Sequence, residues 1–282
     1  MARAGPLKRN REAALTTVMD DRLPSANVLG CRVDRVDESE AAARIMQLLR
    51  YGVPAQVVTL GAEMAVLAST DERYRRVINA AAIVVPDTVS VVLASRLLGR
   101  PMPGRVAGIE LAERLLQRCA RKALSVYLLG SAAGVAEKAA KELVLRFPGL
   151  RIVGTEHGYF IADEEADIAR RIRECGARLV LVGMGFPNQE YWIARNLDRI
   201  GPAVCVGVGG SFDVWSGRLE RAPDSVRQAG MEWLYRLVRE PHRFKRQLAL
   251  PRFAAQVAAQ AIRQRFRSGT GPASPEPGAC EE

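Results

Sequence analysis

The sequence predicts an α/β protein: a mostly parallel sheet covered by helices on both faces, followed by a helical, basic C-terminal appendage. Three observations carry this. Apolar runs of strand length alternate with helical periodicities from about residue 27 to residue 223. The runs are continuous rather than alternating apolar and polar, as in RLVLVG (178–183) and AVCVGV (203–208), which marks strands buried on both faces. After Pro223 the strands stop and only helical patterns remain. Such alternation builds a Rossmann-like sheet.

In chain order, residues 1–22 lack periodicity and read as a disordered N-terminus. The α/β domain spans 23–225. It opens with a strand over 27–34 and an amphipathic helix over 39–49, with Ala42, Ile45, Met46 and Leu49 on one face. A strand over 56–60 precedes a helix from Met64, and a strand over 83–85 ends at Pro86 and Asp87. The next helix carries Val91, Val92, Ser95 and Leu98 on one face. A Pro/Gly-rich loop, RPMPGRVAG (100–108), leads to a helix over 109–121. Then come strand 125–129, helix 134–147, strand 151–154, helix 163–175, and strands 179–184 and 203–208 with a helix opened by Pro187 between them. The basic appendage spans 226–268, with helices over 224–239 and about 252–267 broken at Pro241 and Pro251. Residues 269–282 have the composition of a disordered tail.

A chain of 282 residues buries a full core. It has no apolar run long enough to span a bilayer and no apolar stretch behind its basic N-terminus, so it reads as cytosolic. Five scattered cysteines and two histidines form no metal-ligand spacing, and Cys119, Cys175 and Cys205 read as buried thiols. The net charge of +10 is local. Residues 227–267 hold ten basic side chains against Glu232 and Glu240, a surface suited to phosphate, nucleic acid or anionic lipid. Met231, Trp233, Tyr235, Phe244 and Phe253 lie among the arginines, which suits either a lipid interface or a helix docked on the core.

The stretch 178–223 concentrates the candidate chemistry. Gly183 and Gly185 close one strand, Gly207, Gly209 and Gly210 the next, and adjacent glycine-rich strand ends form the crevice where α/β sheets bind ligands. Asn188, Gln189, Glu190, Ser211, Asp213, Arg218 and Arg221 crowd this edge. Asp87, just past a strand end, reads as a general base or as a helix N-cap. Thr59 and Glu63 lie at another strand end, placed for ligand hydroxyls, with Glu63 also a first-turn acid complementing a helix dipole. Gly130 opens GSAAG, either a phosphate cradle or a plain tight turn. Arg105, Arg218 and Arg221 could clamp a diphosphate through their guanidinium forks. Ser-His-Asp order, G-x-S-x-G, H-E-x-x-H, Asp-x-Asp and G-x-G-x-x-G are all missing.

Taken together, VVTLGAEMAVLA (57–68), VVPDTVSVV (84–92), GRVAGIEL (104–111), VYLLGSAAGVAEKAA (126–140), GTEHGYF (154–160), VGMGFPNQE (182–190), GVGGSFDVWSGRLERAP (207–223) and MEWLYRLVREPHRFKR (231–246) resemble the WecG/TagA/CpsF family of glycosyltransferases. The resemblance implies an inverting enzyme that moves a sugar, typically N-acetylmannosamine, from UDP to the 4-hydroxyl of N-acetylglucosamine on an undecaprenyl diphosphate carrier. It would work at the inner face of the cell membrane as a peripheral protein. Asp87 matches the family's catalytic base, Thr59 the threonine beside it, and Arg105 the arginine of R-V-x-G. Gln189 and Glu190 match a motif placed to contact the nucleotide sugar. Arg236, Arg239, Arg243 and Arg246 match arginines that approach the diphosphate and seat the enzyme on the membrane.

Gly61 stands where the family commonly has asparagine, and Glu110 where it has aspartate, so other UDP-sugars (glucose, galactose or a uronic acid) stay open as donors. The partners implied are a UDP-sugar, the lipid-linked acceptor and an anionic membrane surface, with no metal, no cofactor and no nucleic acid. Helices outside the sheet would support a homo-oligomer. A nucleotide-dependent oxidoreductase is the alternative from the sheet, and a nucleic-acid-binding protein the alternative from the basic segment.

Overall fold

A computed structural model describes residues 23–223, Val226, Tyr235 and 248–268. The chain enters through an antiparallel hairpin, β1 (Ser25–Val28) with β2 (Cys31–Asp34). The single strand expected over 27–34 is thus divided. Leu29 and Gly30 take φ of 53° and 87°, the positive values a two-residue hairpin turn requires. Asn27 Oδ1 accepts the Gly30 N–H at 2.9 Å.

Helix α1 (Glu38–Tyr51) starts with a capping box, in which Asp37 accepts the Glu40 N–H and Glu40 accepts the Asp37 N–H. After β3 (Ala55–Leu60), the helix expected from Met64 is two, α2 (Ala62–Thr70) and α3 (Glu72–Ala80). Asp71 divides them, accepting the Tyr74 N–H at 2.9 Å as the cap of α3. The chain continues through β4 (Ile83–Pro86), α4 (Val89–Leu97), α5 (Gly108–Arg121), β5 (Ser125–Gly130), α6 (Val135–Arg146) and β6 (Arg151–Glu156). A 3-10 turn, Ala162–Glu164, runs into α7 (Glu165–Glu174), followed by β7 (Leu179–Gly183), α8 (Asn188–Ile200), β8 (Val204–Gly207), α9 (Ser211–Trp215) and α10 (Ala249–Ser268).

Strands β3 to β8 make one six-stranded sheet in the order β4-β3-β8-β7-β5-β6, with every neighbouring pair parallel. Both faces are covered. In β7, Leu179 and Leu181 join the core beneath α1, α5 and α6, while Val180 and Val182 point to the opposite face under α7 and α8. On that second face, α2, α3, α4 and the hairpin cover β3 and β4. The chain leaves β5 outward to β6 but leaves β7 inward to β8. Neighbours that diverge in this way open a crevice at their carboxyl ends, the place where such sheets hold ligands.

The C-terminal helix α10 is part of this body. Phe253 and Val257 are buried in the same core as α2, α3 and α4, and Gln260 accepts the Leu29 N–H and donates to the Asn27 carbonyl, both at 2.9 Å. Pro251, expected to break a helix, sits in the first turn of α10, where its missing N–H has no partner to lose. Of the helix expected over 224–239, only Val226 and Tyr235 are among the described residues; the segments 1–22 and 269–282 lie outside them. Cys119 and Cys205 are buried as expected, but Cys175 is exposed because it caps the end of α7 rather than facing the sheet. Among the described residues no helix is long and apolar enough to cross a membrane.

Candidate active site

Asp87 follows β4 directly, and its N–H bonds the Leu60 carbonyl at 3.0 Å, carrying the sheet pattern one residue past the strand. It is not the cap of α4. Thr88 holds that position, without a side-chain capping bond. The Asp87 carboxylate instead reaches α5, where Oδ1 accepts the N–H of Gly108, the first residue of that helix, at 2.7 Å. An anion at the positive end of a helix is well placed electrostatically, and the bond orients the carboxylate at the sheet edge. Val106 N–H bonds the Pro86 carbonyl at 2.8 Å, pinning the Pro/Gly loop there and placing the neighbouring Arg105, half-buried, at the same strand end.

Thr59 lies one register step inside that edge, opposite Val85. Its hydroxyl donates to the Gly207 carbonyl at 3.2 Å and so ties β3 to the end of β8. Its side chain also explains Gly108, since a Cβ on Gly108 would come within 3.2 Å of Thr59 Oγ1 and Cγ2. Thr59, Asp87 and Gly108 form one packed unit. Arg221 joins it from the other end of the domain, with Nη2 bonding Glu110 Oε1 at 2.6 Å in the first turn of α5. Glu63 sits in the first turn of α2.

A second cluster closes β5, β7 and β8. Gly130 and Gly183 are register partners, and the Ser131 N–H bonds the Gly183 carbonyl at 2.9 Å. Ser131 Oγ donates to the Asp213 carboxylate at 3.2 Å, and Arg218 Nη1 reaches the same carboxylate at 3.3 Å. Gly185, with φ of 70°, turns the chain into α8, and Pro187 is the N-cap of that helix rather than its first residue. Gly209, with φ of 53°, and Gly210 lead into α9.

Gln189 and Glu190, expected to contact the nucleotide sugar, are placed beneath this surface. Glu190 is 1% exposed. Its Oε1 accepts from Gln189 Nε2 at 2.7 Å and its Oε2 accepts from the Tyr74 hydroxyl at 3.0 Å. Gln189 Oε1 accepts the Gly209 N–H at 3.0 Å. Gln56 Nε2 donates to the Glu190 carbonyl at 3.2 Å. Gly207 leaves the room, since a Cβ there would meet Gln189 Nε2 at 2.6 Å. The pair therefore braces the strand-end loop from below. Ser211, also expected at the ligand edge, is buried and closes its own turn on the Val208 carbonyl.

Burial raises the Glu190 carboxyl above its ordinary 4.5, and burial, reinforced by Glu190, raises Tyr74. A carboxyl raised in the native state binds its proton more tightly than in the unfolded chain. Its contribution to stability is present in full below about pH 4.5 and is lost as pH rises toward the native pKa. Glu190→Gln keeps the geometry, because its amide oxygen accepts from Gln189 and its amide nitrogen donates to Tyr74, and it does not titrate. Urea unfolding of both proteins between pH 4 and 8 is expected to show the variant gaining on the wild type as pH rises. A pH-independent difference would count against the assignment.

Arg236, Arg239, Arg243 and Arg246 lie outside the described residues. Three participants were not singled out from the sequence: Gly108, Tyr74 and Gln56. The glycine opening GIEL and the glutamine inside AQVVTL were visible signals; Tyr74 had none, since α3 presents it to α8 only in the fold. Among the described residues no three His, Cys, Asp or Glu side chains group as metal ligands.

The edge brings together a carboxylate on one side and glycine-lined strand ends on the other at the carboxyl ends of a parallel sheet, the arrangement of the α/β enzyme class in which ligands bind at that edge. The chain belongs to the glycosyl transferase WecG/TagA/CpsF family, whose model matches residues 26–267. It is similar to N-acetylglucosaminyldiphosphoundecaprenol N-acetyl-beta-D-mannosaminyltransferases. That of Bacillus spizizenii is 35% identical over 203 residues, covering 72% of this chain and 78% of the relative. That of Bacillus subtilis is 32% identical over 205 residues, 73% and 79% of the two chains. That of Staphylococcus aureus strain MW2 is 35% identical over 202 residues, 72% and 79%. The chain is a hexosyltransferase of this family.

Proposed function

We propose that the protein transfers N-acetylmannosamine from a UDP-sugar to N-acetylglucosamine on an undecaprenyl diphosphate carrier, with inversion, as a step in cell-surface polymer synthesis. The observation that carries the reading is the Asp87 carboxylate, oriented by Gly108 N–H at 2.7 Å on the carboxyl edge of the sheet. The names of the relatives supply the acceptor and the sugar.

In this reading Asp87 takes the proton of the acceptor 4-hydroxyl as its oxygen attacks the anomeric carbon, and the sugar–phosphate bond breaks with its electrons leaving on UDP. Backbone N–H groups of the loops after β5 and β8 and the arginines of the edge, Arg105, Arg218 and Arg221, would stabilise the departing diphosphate. Arg218 and Arg221 pair with Asp213 and Glu110 in this structure and would exchange those partners for phosphate oxygens. Arg236, Arg239, Arg243 and Arg246 would meet the diphosphate or the inner face of the membrane as the protein docks peripherally.

The test is release of UDP from a panel of UDP-sugars, with and without a short-chain N-acetylglucosaminyl diphosphate lipid. Acceptor-dependent release from UDP-N-acetylmannosamine alone supports the full reading. Release from another donor keeps the mechanism and moves the specificity, with Gly61, at the N-cap of α2 beside Thr88, the first position to exchange. No release with any donor overturns it.

A further inference from the structure

We propose that the outward face of α4 is the surface on which the protein lies against an anionic lipid bilayer. This rests on the reading of a lipid-linked acceptor. The helix buries Val91, Val92, Ala94 and Ser95 against the core. Facing out are Val89, Leu93 and Leu97, which are 39%, 54% and 51% exposed and are spaced by four residues, so they form one stripe. Arg96 lies beside the stripe and Arg100 just beyond the helix end, both exposed.

From Val89 to Arg100 the sequence VSVVLASRLLGR contains no acid and no lysine. A helix face turned only to water has no reason to line up three aliphatic side chains. One lying at a lipid interface needs apolar side chains to enter the acyl boundary and cations to meet the phosphates. Arginine does both, with its stem along the apolar surface and its head among the lipid phosphates. The adjoining helix has the same character. α10 packs against α4, carries Arg252, Arg263 and Arg265 with no acid, and exposes Ile262 and Phe266.

The placement fits the chemistry. The stripe begins at Val89, two residues from Asp87. A bilayer on α4 would therefore put the base next to the headgroup layer, where the diphosphate of a lipid-linked acceptor emerges. A second copy of the chain is the other occupant such a face could take. Against it, α4 offers no acid to pair with the Arg96 and Arg100 of a facing copy.

The experiment uses the full chain and compares wild type, Leu93→Gln/Leu97→Gln and Arg96→Gln/Arg100→Gln. Each is sedimented with phosphatidylcholine vesicles with and without phosphatidylglycerol, and turnover is measured on a short-chain soluble acceptor and on a long-chain acceptor embedded in vesicles. Both double variants are expected to lose about tenfold in partition to the anionic vesicles. Both are expected to keep turnover on the soluble acceptor, which also reports that they fold, and to lose it on the embedded one. Unchanged partition overturns the proposal, as does a variant that shifts the oligomeric state in the absence of lipid, which would assign the face to a second copy. Wild type inactive on every acceptor would strike the transferase reading instead, leaving partition to judge the face.

Discussion

Replacement of Asp87 by asparagine is expected to lower turnover by about 10²- to 10⁴-fold, the usual contribution of a general base. The amide keeps an oxygen in the place of Oδ1, so the bond from Gly108 N–H and the start of α5 should survive. What the proposed mechanism would lose is the group that takes the proton from the acceptor hydroxyl. UDP binding should be nearly unchanged under the proposed reading, which places the diphosphate on the loops after β5 and β8 and on the arginines of the edge rather than on Asp87. Turnover and UDP affinity measured on the same preparation separate the two roles. If both fall together, Asp87 serves the fold of the edge; if neither falls, the base lies elsewhere.

Gly130→Ala is expected to cost about 2–4 kcal/mol of stability, combining backbone strain with overpacking. Gly130 has φ of 143°. A Cβ there would overlap the Gly183 carbonyl and lie 2.7 Å from Gly183 Cα. Neither strand can retreat, because Gly183 is itself held against Gly209, whose carbonyl oxygen a Cβ on Gly183 would meet at 2.9 Å. Gly134 is the control. It has φ of 81°, but a Cβ would have nothing within 4 Å, so Gly134→Ala should cost only the strain, about 1–2 kcal/mol. Urea midpoints of the two variants decide the matter, and equal losses would show that the close packing of the strand ends contributes nothing. Loss of UDP binding in Gly130→Ala under conditions where it remains folded would place the nucleotide at this junction.

Much of this architecture was legible in the linear sequence, for identifiable reasons. A parallel strand buried on both faces must be apolar throughout, so LVLVG and VCVG announced β7 and β8. Asp87 was legible as a candidate because it stands one residue past such a run. Its partner was not. The residue that orients it, Gly108, lies 21 positions away, and no local pattern pairs a strand end with a helix start across a loop. Local chemistry even suggested the wrong helix, since aspartate before a helix reads as that helix's own cap.

The edge itself shows the same division. Asn188, Gln189, Glu190, Ser211, Asp213, Arg218 and Arg221 were legible as a polar concentration, and a concentration of polar residues does not say which of them face the ligand. The fold divides them: Glu190 is braced by Tyr74 from 116 positions away, Ser211 closes a turn, and Asp213 and Arg218 remain at the surface. The hairpin at Leu29 was missed because a leucine at positive φ follows no residue preference.

By itself, the sequence determined the alternation of strand and helix, the burial of the sheet on both faces, the family and Asp87 as a candidate at a strand end, because periodicity and residue type are local properties. Only the tertiary structure decided the strand order that sets the divergence of β5 and β7, the helix that holds Asp87, the burial of Glu190 and the exposed face of α4. Each of these depends on which distant segments are brought into contact, and burial or exposure of a polar group is a property of that contact rather than of the residue.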